Sequence, residues 1–333
     1  MLPISCALAL LSGVVGAGFA SGREIAYFFA GHGAYAFCAV LLSCAAMALL
    51  FCRLPAQLER AGSDSLLALC RVRFGRRFGR LCAGLFFLLF AVTGGAMLAA
   101  CAELAALILP LRHAYGLGML LSLIAAAWLA ARGLSGLALP GAVLCVLLPL
   151  LLLRLLLLPA GEAAFSPVSD TLHAAASGLC YGSLNAAMVC GTLPLLLPLS
   201  KKQRIRAALL FSAMLMLLLT LGVLTLARHR QAAEGQALPL VYLSRLLGRS
   251  GYYLCACTLY AAALSTLCAM LVGLSRMLSA RRGLLLSAAL CLLFASAGFT
   301  RLVERAYPTL GWLCAALLAL LCLPLPAPGE AKG

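Results

Sequence analysis

The sequence predicts an all-α integral membrane protein of about ten transmembrane helices, arranged as two inverted sets of five with the first and sixth helices broken. Three observations carry this expectation. The 333 residues are 65% hydrophobic and 10% charged, with a mean hydropathy of +1.09, far too apolar for a soluble domain of this length. About ten apolar runs, most of them near the ~20 residues that cross a bilayer, are separated by short polar joints. Glycine-rich interruptions recur at the start of the first run and of the sixth.

The runs fall at 3–30, 33–54, 81–109, 116–131, 136–158, 171–198, 207–227, 251–278, 284–299 and 308–326. They divide the chain into a five-helix repeat over 1–158, a second over 171–326 and a short tail over 327–333. Because five is odd, the second set enters the membrane in the opposite sense. Lys and Arg crowd the joints after the second, fourth, sixth and eighth runs, which by the positive-inside rule puts both termini in the cytoplasm. The joint after the seventh run is the exception, with Arg228, Arg230, Arg245 and Arg249 on the expected outer side.

The formal charge of +16 is thus explained by topology, and no nucleic-acid partner is expected. The densest basic stretch, "RVRFGRRFGR" over 71–80, suits the anionic headgroups of the lipid bilayer, with Phe74 and Phe78 on one helical face. Nearly all of the sixteen cysteines lie in apolar runs, where they behave as small hydrophobes. Cys255 and Cys257 form only a CxC, so no metal site is expected. The small residues of "GFASG" suit a signal-peptide cleavage site, but no basic segment precedes them and apolar sequence resumes after Glu24.

In "SGVVGAGFASGREIAYF" (12–28), four glycines are followed directly by Arg23 and Glu24. The spacing of Ser21 and Glu24 reads as a capping box, Ser21 accepting from the Glu24 amide and Glu24 reaching back to the Ser21 amide. A capping box marks a helix start. The segment therefore reads as a helix to about Val15, an extended turn over Gly16 to Ala20 and a new helix from about Gly22. Irregular backbone at membrane depth requires a cavity or protein partners. Such a break also presents a carbonyl end suited to a cation and an amide end suited to an anion. The alternative for Gly18 and Gly22 is close helix packing as a GxxxG pair.

A matching interruption is expected within "SGLCYGSLNAAMVCGTLP" (177–194), and paired broken helices are the signature of an inverted repeat with a midplane site. These features resemble the LeuT fold of the amino acid, polyamine and organocation transporter superfamily. Within it, "GAGFASGREI" together with "YGSLNAAM" resembles the YkvI-like family of bacterial membrane proteins, over essentially the whole chain. The resemblance implies a secondary transporter in the bacterial cytoplasmic (inner) membrane.

It also implies sites. A sodium ion would sit between the first helix, at the carbonyls of Ser12 and Val15, and the eighth, at Ala262, Ser265 and Thr266. Such oxygens suit a hard cation, although both hydroxyls can instead bond their own helix backbone. The lysine that replaces sodium in some relatives is missing from the fifth run, which favours sodium and leaves a proton open. The substrate would meet the backbone of Gly16, Ala17, Gly18 and Ala20, with Tyr181, Gly182, Ser183, Asn185 and Thr93 as further walls. Asn185 can both donate and accept, or serve as interhelical glue. Ser21 and Glu24 read as the helix cap, and Glu24 has a proton-carrying or amine-binding role as a second reading. The joint over 228–250 reads either as an external lid or as an interfacial helix.

The expected function is a secondary active transporter of a small solute, an amino acid or related zwitterion, by alternating access coupled to sodium or protons. No other cofactor is expected. The alternative is a ligand-sensing receptor of the same fold. An enzyme is not expected: His32, His113, His173 and His229 fall in or near outer joints, no carboxylates cluster, and no GxxxxGK[ST] phosphate loop is present.

Overall fold

The computed structural model describes residues 2–63, 65–109, 111–132, 138–159, 170–278 and 282–323, with no strand among them. The expected tail over 327–333 lies outside the described residues. The helices are α1 (Leu2–Val14), α2 (Ala17–Ala20), α3 (Arg23–Phe28), α4 (Ala36–Arg60), α5 (Leu66–Ile108), α6 (Ala114–Arg132), α7 (Ala138–Leu156) and α8 (Thr171–Met188). They continue with α9 (Lys201–Arg228), α10 (Arg230–Ala233), α11 (Pro239–Leu243), α12 (Gly248–Leu278), α13 (Gly283–Ala295), α14 (Phe299–Arg301) and α15 (Tyr307–Cys322). Among the described residues, six helical segments are long and apolar enough to cross a bilayer, and α8 with the 3-10 segment Cys190–Leu196 makes a seventh, bent by 71°. α1, α7 and α13 contribute shorter apolar stretches. The chain is a multi-pass membrane protein.

Apolar burial cannot by itself drive helices together in lipid, so close backbone approach must contribute, and small residues provide it. Gly178 and Gly182 lay α8 against α4: a Cβ at Gly182 would meet the Ser43 carbonyl oxygen at 2.9 Å. Gly94 and Gly95 do the same for α5 and α13, where a Cβ would lie 2.5 Å from Cys291 Sγ and from Phe294 Cβ respectively. The core between these helices holds the buried rings of Phe19, Phe28, Phe29, Tyr181 and Tyr307.

Two sequence expectations are corrected here. α8 is not interrupted at its glycines: it runs unbroken to Met188 and bends at Val189, leaving Gly178, Gly182, Ser183 and Asn185 inside the helix. The glycines serve packing, and the bend belongs to Gly191 and Pro194, residues that weaken or cannot continue a helical ladder. The basic stretch is likewise not one helical face. Gly75 adopts φ 74° within α5, so the chain turns there and Gly79 comes against Arg71, with a Cβ only 3.1 Å from the Arg71 Cα. Phe74 therefore packs on the core while Phe78 is exposed.

α9 begins with a capping box that the sequence reading missed, Ser200 Oγ accepting from the Gln203 amide at 3.4 Å and Gln203 Oε1 from the Ser200 amide at 2.9 Å. Its 28 residues span about 40 Å, so Arg204 and Arg228 mark opposite ends of the bundle.

Candidate functional site

α1 ends in a tight turn. The Val15 amide donates to the Leu11 carbonyl at 2.8 Å, but the Gly16 amide turns to Val14 at 2.8 Å, which takes the Ser12 carbonyl out of the helical ladder. The expected extended turn over Gly16 to Ala20 is corrected: Ala17, Gly18 and Ala20 lie in the single helical turn α2. The break is thus two bends, one at 15–16 and one at 21–22. Gly22, at φ 83°, makes the second in left-handed backbone that suits glycine.

The capping box over Ser21 and Glu24 does not form. Ser21 Oγ donates to the Gly18 carbonyl at 2.8 Å and accepts from the Arg23 amide at 3.2 Å, while Gly22 takes the N-cap position. That places Glu24 at the second helical residue, one short of the position from which a capping box reaches back. Its side chain turns inward instead. The Glu24 carboxylate lies against Gly18, where any Cβ would overlap it, and is almost wholly buried.

Around this carboxylate stand two tyrosines. The Tyr181 hydroxyl, from α8, and the Tyr307 hydroxyl, from α15, both lie within electrostatic range of Glu24. Both side chains are fully buried; the Tyr181 hydroxyl faces the Glu24 carboxylate and the Tyr307 hydroxyl faces Thr93, each short of full hydrogen-bonding geometry. Thr93 of α5 is beside Tyr307 and donates to the Met188 sulfur at 3.3 Å, next to the bend after α8. The helix break therefore faces a polar cluster drawn from four helices. Asn185, also buried, donates to the Tyr181 carbonyl of its own helix at 3.1 Å. Ser183 is buried on α8, and Gly182 is spent on α4, as described above.

Of the cation candidates, Thr266 is the one placed against the break, where it meets Gly16. A Cβ at Gly16 would lie 3.2 Å from Thr266 Oγ1, so the end of α1 touches α12 at that hydroxyl. Ser265 Oγ and Thr266 Oγ1 both donate to the Ala262 carbonyl, at 2.9 and 3.0 Å. Val15 is buried and Ser12 is half-buried on α1. The structure thus joins Gly16 and Thr266 directly, and the hydroxyls bond their own helix.

α11 packs against the break. The Leu240 amide donates to the Ser21 carbonyl at 2.9 Å, and Leu240, Val241 and Leu243 are buried. A cavity of about 370 Å³ lies beside it, lined by Arg23, Tyr27, Arg230, Glu234, Pro239 and Glu304 among others. Arg23 crosses its floor, pairing with Glu304 and donating to the Gln236 carbonyl at 3.0 Å. At the other end, Arg204 pairs with Glu59 and donates to the Leu196 and Leu197 carbonyls at 2.9 and 2.7 Å.

The fold is LeuT-like. A solved structure of Mhp1, a nucleobase-cation-symport-1 family transporter, in a closed conformation with bromovinylhydantoin bound, matches with a TM-score of 0.56. At 14% sequence identity the match covers 95% of this chain and 75% of that one. The chain is also 26% identical over 333 residues to the uncharacterized membrane protein YkvI of Bacillus subtilis (strain 168), covering 94% of this chain and 93% of that protein. No family model matches the chain. The resemblance carried by "GAGFASGREI" and "YGSLNAAM" is borne out.

Sequence reasoning missed Tyr307 and Glu304, which it left in a joint between runs. Both belong to or follow the π-helical segment Leu302–Ala306, whose wider turn carries Glu304 to the cavity and precedes the buried Tyr307. Single π-turns inside helices are frequent at functional sites. The available signal was Glu304 between Arg301 and Arg305 and the Tyr307-Pro308 pair that follows, directly before an apolar run.

Proposed function

We propose that the protein is a secondary active transporter of a small solute, an amino acid or related zwitterion, working by alternating access and coupled to sodium or protons. One observation carries the reading: a buried carboxylate, Glu24, at a helix break, with the hydroxyls of Tyr181 and Tyr307 gathered about it. Ionisable groups inside a membrane bundle are functional candidates by default, so this cluster reads as a set of contacts for something that arrives. Glu24 would receive an ammonium group, and Tyr181, Tyr307 and the amides of the turn would receive a carboxylate.

The remaining geometry agrees. Ion pairs close both ends, at Arg23–Glu304 and at Glu59–Arg204, as alternating access around a central site requires. Gly16, Ala262 and Thr266 supply the place for sodium, with Ser12, Val15 and Ser265 beside it. The two sets of five helices would form the inverted repeat, with both termini in the cytoplasm and the Arg23 end outward. The hydantoin in Mhp1 widens the test to nucleobase-like rings, neutral molecules whose N–H and C=O groups could meet the same carboxylate and hydroxyls.

The test is reconstitution into liposomes with an imposed sodium or proton gradient and a panel of labelled amino acids, amines, hydantoins and nucleobases. Uphill accumulation of one solute is expected, and sodium dependence that is lost in Thr266→Ala supports the sodium site. Saturable binding without accumulation would replace the transporter with a ligand sensor.

A further inference from the structure

We propose that a cleft between α7 and α12 binds one anionic phospholipid, its acyl chain between leucines and its phosphate on Arg154. The cleft, about 370 Å³, lies in the size range of ligand sites. Leu147, Leu151, Leu254 and Leu259 wall it, and the Leu247 side chain packs over Gly251 at one side. Its one hydroxyl, on Thr258, already donates to the Leu254 carbonyl at 2.6 Å, so the walls offer a polar solute nothing. An apolar chain suits them.

Arg154 is the only charged residue of that lining among the described residues. It sits in the last turn of α7, is exposed, and makes no ion pair among the described residues. A cation left on an apolar helix is costly unless it reaches a headgroup phosphate. The end of α7 meets the start of α12, so Arg154 stands at the same level as Gly251. An apolar slot with one cation at its mouth has the shape and charge of a phospholipid's complement.

The neighbourhood adds positive charge in the joint where the loop asymmetry fails. Arg249 precedes Gly251 by two residues and lies over Tyr253, and Arg245 is held between Tyr242 and Tyr252 at 5.1 and 5.3 Å. Arginines retained on this side are explained by an anionic lipid in that leaflet. Leu247, which lines the cleft, closes the 3-10 turn that follows α11, so the lipid would also brace the segment resting on the helix break.

The experiment is lipid retention by the full chain in detergent, read by native mass spectrometry and thermal unfolding, with phosphatidylglycerol against phosphatidylcholine of the same acyl chains. Phosphatidylglycerol should be retained roughly fivefold better, the contribution expected from one arginine at a headgroup. Arg154→Gln should abolish that preference, and Leu254→Trp, which fills the cleft from an exposed position, should remove both lipids. Both variants change exposed residues and should unfold at the wild-type temperature without added lipid. Equal retention of the two lipids by the wild type, or an undiminished preference in both variants, would overturn the proposal. So would oleate that binds in the cleft and resists displacement by phosphatidylglycerol, which would make the occupant a free fatty acid.

Discussion

The carboxylate of Glu24 rests on Gly18, in the space that any side chain at position 18 would need. The two residues are six apart along the chain, and the left-handed Gly22 between them folds one onto the other. Gly18→Ala should therefore displace Glu24 from the tyrosine cluster and cost about 1–3 kcal/mol by overpacking. Adding Glu24→Ala removes the overlap, so the double variant should unfold at a higher temperature in detergent than Gly18→Ala alone. A purely additive double variant would show that the two side chains do not compete for this space.

That relationship also marks how far the sequence could be read. The apolar runs and the break near Gly16–Gly22 were legible, because hydropathy and glycine content are local signals; the approach of Gly16 to Thr266 was implied only by the family resemblance. The frame of the break was not. Whether Ser21 or Gly22 caps α3 depends on Leu240, whose amide holds the Ser21 carbonyl from more than 200 residues away. Likewise Gly178 and Gly182 looked like chain breakers until α4 was found against them, and Tyr307 looked like a joint residue until the π-turn carried it inward.

Tyr181→Phe and Tyr307→Phe separate binding from structure. Neither hydroxyl makes a hydrogen bond of full geometry, so each removal should leave the stability of the solute-free protein within ~1 kcal/mol of the wild type. If the hydroxyls meet solute, affinity should fall about tenfold in each, since a lost hydrogen bond to a charged group is worth ~1.5 kcal/mol or more. Thermal unfolding with and without solute measures both. Reduced stability with unchanged affinity would make the hydroxyls structural.

Glu304→Gln should loosen the closure at the Arg23 end. Arg23 keeps its bond to the Gln236 carbonyl but loses its carboxylate, so the guanidinium that links α3 to both segments is held by one of its two partners. Bound solute should leave faster, and the exchanged pair Arg23→Glu with Glu304→Arg should recover part of the difference. Release rates from purified protein, followed by dilution of labelled solute, check this. Equal rates in the wild type and Glu304→Gln would remove the pair from the closing mechanism.

Arg204→Lys tests the opposite end. The guanidinium serves Glu59 and two carbonyls at once, with Nη1 2.8 Å from Glu59 Oε2, and it ties the end of α4 to the segment after the α8 bend. An ammonium keeps the charge but cannot reproduce this planar fork. The change should cost about 1–3 kcal/mol, since buried carbonyls at Leu196 and Leu197 lose a charged donor. Glu59→Gln should cost less, because Arg204 retains both carbonyls and Glu59 is itself half exposed. The two variants should differ in sidedness from Glu304→Gln: in oriented proteoliposomes, Arg204→Lys should accelerate solute exchange through the face carrying the start of α9 and leave the Arg23 face unchanged. Acceleration through both faces would mean that Arg204 holds the bundle as a whole and does not close one end of it.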